Sequence, residues 1–243
     1  MCISCRTAAL PRRHFLALAT MAAAAGGLGL ALSAPAEAAA GHKTELTADQ
    51  ALEKLKQGNA RFVANAEVCA ADLGGQRAHV AGDQAPWATI VSCADSRLPP
   101  ELLFGGLGLG ELFVARNAGN LVDTAVLGTV EYGAAMLGAP LLVIMGHQRC
   151  GAVSAACEVV TRNLSLPGAI GTMIEPILPA ALAVKDAPGD FVTNTVRESA
   201  RRTAAHLTER SAILAGLAKE GRLKIISAYY DLDSGKVDFA DAA

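Results

Sequence analysis

Aromatic and charged residues are both scarce in this chain, and its charges nearly balance. One Trp, three Tyr and six Phe make up 4% of the 243 residues, and Asp, Glu, Lys and Arg together make up 18%. The formal net charge of −2 provides no basic excess for binding nucleic acid. Hydrophobic residues make up 52%. This composition indicates a globular protein with one sizeable core and no nucleic-acid partner.

The first 40 residues have the pattern of an export signal. Arg12 and Arg13 precede an uncharged stretch, 16–36, which small-residue triplets follow. The pattern is typical of a cleavable signal peptide, and the paired arginines indicate the twin-arginine route. An uncleaved membrane anchor is the alternative, but the Ala/Gly content makes the stretch weakly apolar. We therefore predict a signal at 1–40, a single domain at 41–243, a periplasmic or secreted location and no stable membrane anchor.

Strand and helix patterns alternate along the rest of the chain. Short apolar runs bounded by Pro or polar loops predict buried parallel strands, and they are WATIVSC (87–93), ELFVARN (111–117), LLVIMGH (141–147) and LKIISAYY (223–230). Helical spacing is found at 47–65, with Thr47 as the N-cap, and at 123–138, 151–162, 168–185 and 191–220. The alternation predicts an α/β fold with a central, mainly parallel β-sheet flanked by helices.

Two of the predicted strands end in residues that bind metals. Cys93 closes one strand, His147 closes another, and Cys150 follows His147 after two residues. Open α/β sheets place their sites beyond the carboxyl ends of strands. Thiolates and imidazole are the donors that zinc prefers, and three protein ligands leave its fourth position open. The sequence therefore predicts a zinc site formed by Cys93, His147 and Cys150.

Asp95 and Arg97 follow Cys93 closely and suggest proton chemistry at this site. Two thiolates cancel the charge of zinc, so the metal acidifies its water less than it would among neutral imidazoles. Asp95 is placed to orient that water, and Arg97 to keep Asp95 ionised. A local salt bridge in a turn is the ordinary alternative, but the adjacent Cys93 favours a functional pair.

Three segments together carry a resemblance to a known family. CADSR (93–97) and HQRCGAV (147–153) resemble the paired signature of the β-class carbonic anhydrases, and GELFVARNAGN (110–120) between them matches as well. The similarity extends from about Thr47 to Val237. It implies zinc on the two cysteines and the histidine, and reversible hydration of carbon dioxide to bicarbonate and a proton. In this interpretation the Asp95–Arg97 dyad holds the zinc-bound water or hydroxide.

The resemblance also implies a substrate pocket and an assembly. The family builds a small apolar pocket across a dimer interface. Gln84 falls where the plant-type branch has a glutamine that binds substrate, and Phe113 and Tyr132 fall where that branch has pocket aromatics from the neighbouring subunit. A homodimer or homotetramer is expected, with the helix at 47–65 gripping the partner subunit.

One position separates the two branches of the family. In the second branch, bicarbonate held on a tryptophan, an arginine and a tyrosine shuts the enzyme down. Arg116 and Tyr229 match that set, but Ile90 stands at the tryptophan position, and isoleucine has no N–H to donate. We therefore expect plant-like, open-site behaviour, with water rather than Asp95 on zinc at neutral pH.

Two other functions stay open at this point. A carbon disulfide or carbonyl sulfide hydrolase would use the same fold and zinc. A non-catalytic zinc protein would have a closed site of four ligands and gives no reason for Asp95, Arg97 and Gln84. Cys69 and Cys157 are predicted to be free buried thiols, and a disulfide between them remains an alternative.

Overall fold

The computed structural model describes residues 43–65 and 73–240, and these contain one five-stranded sheet. The predicted signal segment and Cys69 lie outside the described residues. The strands are β1 (Ala88–Cys93), β2 (Leu112–Asn117), β3 (Leu141–His147), β4 (Lys224–Tyr230) and β5 (Val237–Phe239). Their order is β2-β1-β3-β4-β5, with β5 antiparallel at one edge and the other four parallel. The predicted mainly parallel α/β sheet is confirmed.

Helices flank this sheet along the described chain. They are α1 (Ala48–Ala64), α2 (Leu73–Val80), α3 (Pro100–Leu103), α4 (Thr124–Glu131), α5 (Gly151–Arg162), α6 (Ala169–Ile174), α7 (Leu178–Val184), α8 (Phe191–Arg210) and α9 (Ala212–Lys219). A π-helical turn, Tyr132–Met136, extends α4, and a 3-10 turn, Glu175–Ile177, joins α6 to α7. No helix among the described residues is long and apolar enough to span a bilayer.

Side-chain hydrogen bonds cap two helix N-termini, one that the sequence predicted and one that it did not. The predicted N-cap Thr47 is confirmed: its hydroxyl accepts from the Gln50 N–H, and the Gln50 amide oxygen accepts from the Thr47 N–H. The helix predicted at 191–220 is instead two helices. Ser211 leaves the helical conformation, ends α8 and caps α9 by accepting from the Leu214 N–H.

The core lies on both faces of the sheet. Alternate residues of the central strands point to opposite sides, so Ile90 and Val143 pack with α1 and α5, whereas Val91 and Leu142 pack with α4, α8 and α9. Every residue of β1 and β3 is buried. The two strands that end in Cys93 and His147 are thus the most enclosed elements of the fold, which makes their carboxyl ends rigid supports for a site.

Candidate metal centre

The carboxyl ends of β1 and β3 bring the three predicted ligands together. β1 and β3 are adjacent and parallel, with Ser92 opposite Met145, so the strands end side by side. Cys93 is the last residue of β1, His147 is the last of β3, and Cys150 is the N-cap of α5. All three are buried, and their ligand atoms lie within 4.8 Å of one another.

The ring of His147 is oriented for binding through Nε2. Its Nδ1 lies 2.9 Å from the carbonyl oxygen of Gln148, and a carbonyl only accepts, so Nδ1 carries the proton. Nε2 is fully buried and has no hydrogen-bond partner among the described residues. A buried, unpaired nitrogen is costly, and a metal ion is the natural partner for one that faces two sulfurs.

The two thiols of the cluster differ strongly in acidity. The neighbouring Cys150 thiol lowers the pKa of Cys93, and the backbone N–H of Gly119, which donates to the Cys93 sulfur at 3.4 Å, lowers it further. The contact between the two thiols raises the pKa of Cys150, as does its burial. The thiolate, not the thiol, binds a metal ion, so a divalent cation bound here would displace the thiol protons. Two sulfurs and one imidazole nitrogen fit zinc.

A carboxylate and a guanidinium stand at the edge of the cluster. Arg97 Nε and Nη2 donate to the two oxygens of Asp95 at 2.9 and 2.7 Å, and the Arg97 backbone N–H donates at 3.0 Å. These hydrogen bonds hold the pKa of Asp95 well below its usual range. Asp95 Oδ2 lies 4.0 Å from Nε2 of His147. The predicted pair is thus a bidentate ion pair beside the candidate metal ligands.

Arg116 hydrogen-bonds the end of β1 at Cys93 and the loop after it at Asp95. Its Nε donates to the carbonyl oxygen of Cys93 at 3.0 Å, and its Nη2 donates to that of Asp95 at 2.6 Å. Sequence reasoning missed this role. The signal that could have revealed it is strand register, since Arg116 lies opposite Ser92 on the neighbouring strand.

The predicted pocket residues are only partly brought together. Phe113 on β2 and Tyr132 in the π-helical turn form a tilted aromatic pair, with ring centroids 6.1 Å apart. Gly133 permits this approach, because a Cβ there would lie 2.9 Å from the Phe113 ring. Gln84 is exposed, and its backbone N–H donates to Asp83. No hydrogen bond among the described residues joins its side chain to the cysteines or histidine of the cluster.

The comparisons with known proteins agree with this geometry. Residues 88–237 match the family model for carbonic anhydrase. The chain belongs to the β-class carbonic anhydrase family. The matched range holds all three candidate ligands and the Asp95–Arg97 pair.

Relatives of this β-class carbonic anhydrase chain extend the match beyond that range. Carbonic anhydrase 2 of Mycobacterium tuberculosis is 36% identical over 191 residues, which cover 79% of this chain and 92% of the relative. Among solved structures, one of two tetrameric β-carbonic anhydrases of Sordaria macrospora is 25% identical, with a TM-score of 0.61 over 70% of this chain and 91% of that chain. The Coccomyxa β-carbonic anhydrase in complex with acetazolamide is also 25% identical, with a TM-score of 0.59 over 77% of this chain and 85% of that one.

Proposed function

We propose that this chain is a zinc enzyme that catalyses the reversible hydration of carbon dioxide to bicarbonate and a proton. The observation that carries the proposal is the buried cluster of Cys93, His147 and Cys150, with its unpaired nitrogen, beside a carboxylate held ionised by Arg97. Zinc, when bound there, would supply a Lewis acid that makes water a nucleophile at neutral pH.

Asp95 orients the attacking water. As an ionised carboxylate it accepts hydrogen bonds and donates none. A water or hydroxide beside it must therefore donate to Asp95, which turns an oxygen lone pair away from the carboxylate and toward the substrate. Arg97 fixes the carboxylate through two parallel hydrogen bonds. The proton released then passes to solvent or buffer.

The experiment that tests this proposal is stopped-flow hydration of carbon dioxide by the purified protein, with its zinc content measured. Assays at about pH 7 and about pH 8.5 separate the protonation states of a near-neutral catalytic base. We expect fast turnover at both values. Absence of hydration by a fully zinc-loaded protein would contradict the proposal, and assays with carbon disulfide and carbonyl sulfide would then test the sulfur-substrate alternative.

We also propose plant-like, open-site behaviour, in which Asp95 stays off the metal at neutral pH. Two contacts support it. Arg97 donates hydrogen bonds to Asp95, and the guanidinium carbon of Arg197 lies 3.9 Å from the centroid of the Tyr229 ring. Ile90 is fully buried in the core, in a strand without an indole donor. Activity confined to the higher pH, or a crystal structure near neutral pH with Asp95 on the metal, would contradict this.

For the assembly, we propose a homodimer or homotetramer whose partner subunits complete the substrate pocket. Phe113 lies on β2, which is an edge strand of the sheet, and packs against Tyr132, which is 48% exposed. In this arrangement Gln84, Phe113 and Tyr132 line the pocket, with the two aromatics coming from the neighbouring subunit.

For localisation, we propose export by the twin-arginine route and cleavage near residue 40, which leaves 41–243 as a single periplasmic or secreted domain. The support is the sequence pattern of Arg12, Arg13 and the uncharged stretch after them. Cell fractionation and N-terminal sequencing test it, with Arg12→Lys/Arg13→Lys expected to abolish export. Recovery of the uncleaved chain in the cytoplasm would contradict it.

A further inference from the structure

A two-residue turn joins the candidate ligands His147 and Cys150, and its backbone is strained. Arg149 has a φ of 54°, a left-handed conformation that is uncommon for residues other than glycine. Its side chain is 54% exposed, so core packing does not impose this conformation. Strained backbone at a functional site persists only where the surrounding structure holds it.

Asp233, in the loop between β4 and β5, holds the turn through hydrogen bonds to its two residues. Arg149 Nη1 and Nη2 donate to the two oxygens of Asp233 at 2.9 and 2.7 Å, and Gln148 Nε2 donates to Oδ2 at 2.9 Å. In return, the Gln148 amide oxygen accepts from the backbone N–H groups of Leu232 and Asp233. The hydrogen bond from Arg149 lowers the pKa of Asp233 to about 2, so this carboxylate is ionised at neutral pH.

The loop that presents Asp233 is itself held by hydrogen bonds, both within the loop and to α1. Asp231 Oδ1 accepts from the backbone N–H and the hydroxyl of Ser234 at 2.8 and 2.7 Å. On α1, Asn59 Nδ2 donates to the carbonyl oxygen of Gly235 at 2.9 Å. These hydrogen bonds hold the backbone on both sides of Asp233.

The turn is linked to the histidine ring by one carbonyl group. The Gln148 oxygen that accepts from Nδ1 of His147 belongs to the peptide unit between Gln148 and Arg149. The φ of Arg149 sets the tilt of that peptide relative to the chain entering Cys150. If Arg149 left the left-handed conformation, the carbonyl would turn and the ring would lose its orientation.

We propose that Asp233 is a positioning residue for the candidate zinc site. It holds Gln148 and Arg149 so that Nε2 of His147 and the sulfur of Cys150 face Cys93. This inference rests on the proposed zinc enzyme. Partners of metal ligands that are not ligands themselves typically contribute about 10–100-fold to metal affinity.

The test compares Asp233→Ala with Asp238→Ala. Asp238 lies on β5 of the same hairpin, is similarly exposed and bonds Arg197 at 2.7 Å, so it is a matched control. Zinc affinity is measured by chelator competition, and ligand geometry by the visible absorption of the cobalt-substituted protein. For Asp233→Ala we expect zinc binding weakened about tenfold and shifted cobalt bands, with the control matching the natural protein.

A second pair of variants tests the backbone argument directly. Glycine adopts a positive φ at little steric cost, whereas alanine does not. Arg149→Gly should therefore retain more zinc affinity than Arg149→Ala. If Asp233→Ala does not fold, Asp233→Asn, which keeps the size of the side chain and removes its charge, replaces it and should also weaken zinc binding. Equal affinities and identical cobalt spectra in Asp233→Ala and the natural protein would overturn the inference. Failure of the natural protein to bind zinc would overturn the proposed function itself.

Discussion

At the scale of single residues, Asp95 is the feature that a catalytic site needs and a purely structural metal site does not. Its carboxylate lies 4.0 Å from the histidine nitrogen, yet it is bonded to Arg97 and remains available to water. The three candidate ligands do not include it. Its role can therefore be tested independently of metal loading.

We predict that Asp95→Asn lowers kcat/KM for carbon dioxide hydration about 100-fold or more while zinc content is unchanged. The amide presents a donor where the carboxylate presents only acceptors, so it does not impose one orientation on water. Stopped-flow kinetics with zinc analysis measure this. Asp186→Asn, at an exposed position, is the control and should match the natural protein. Full activity in Asp95→Asn would disprove the role.

The pH dependence of the same ion pair has a definite sign. Arg97 stabilises the ionised form, so the folded-state pKa of Asp95 lies below 3.8. The resulting contribution to stability is present above that ordinary value and is lost as the pH falls through the folded-state pKa. We predict that Arg97→Gln raises the titration midpoint of the Asp95 carboxyl, measured by carbon-13 NMR. An unchanged midpoint would show that Arg97 is not the cause.

The residues of the site differ in how far sequence could predict them. Cys93 and His147 end short apolar runs, and Asp95 lies two positions from Cys93, so local pattern was sufficient. Asp233 is 84 residues from Arg149 along the chain, and its role depends on a hairpin that local periodicity does not reveal. Arg116 was noticed only as part of a resemblance, because its contact depends on strand register.

At the scale of elements, the close packing of α8 on β3 supports the position of His147. Gly146 directly precedes that histidine, and a Cβ at this position would lie 2.6 Å from Cγ1 of Val196 on α8. A β-branched side chain cannot turn aside easily. The absence of a side chain at Gly146 is thus what allows the helix to cover the end of the strand.

We predict that Gly146→Ala lowers the free energy of unfolding by about 1–3 kcal/mol, because the added methyl overpacks this contact. Gly216→Ala in α9 is the control, since a Cβ there meets nothing within 4 Å. Replacing a helical glycine should increase stability by up to about 1 kcal/mol. Urea denaturation of both variants measures the difference, and equal stabilities would contradict the packing argument.

Element boundaries show the limits of sequence pattern. The four parallel strands were predicted because each is a distinct apolar run. The break at Ser211 was missed because helical spacing continues on both sides of it. We did not predict β5: it has three residues, and its place depends on pairing with β4 and on the contact of Asn59 with the Val237 N–H.

At the scale of the whole molecule, the edge of the sheet at β2 is where the proposed assembly places the contact between subunits. An edge strand presents backbone groups that another chain can cover. Tyr132 contacts Phe113 of this strand, and Met136 lies in the same π-helical turn as Tyr132; the two residues are 48% and 40% exposed. In the proposed assembly this surface is the subunit interface.

We predict that Met136→Lys shifts the protein toward the monomer, because a charge would be buried at the interface. Light scattering coupled to size-exclusion chromatography measures the mass. Leu182→Lys on α7, at a side chain that is 62% exposed, is the control and should keep the natural mass. An unchanged assembly in Met136→Lys would place the interface elsewhere.

The closeness of the two sulfurs has a consequence for how the protein would respond to an oxidising environment. The sulfurs of Cys93 and Cys150 lie within 4.8 Å of each other, and both residues are free thiols. Without a cation between them, a thiol oxidant would remove two electrons and two protons and join them as a disulfide once they approach to about 2 Å. A metal ion bound between the two sulfurs would therefore also protect them from oxidation. A molecule that reached an oxidising compartment unloaded would lose both thiolate donors to that bond, so acquiring metal early would protect the site for later catalysis.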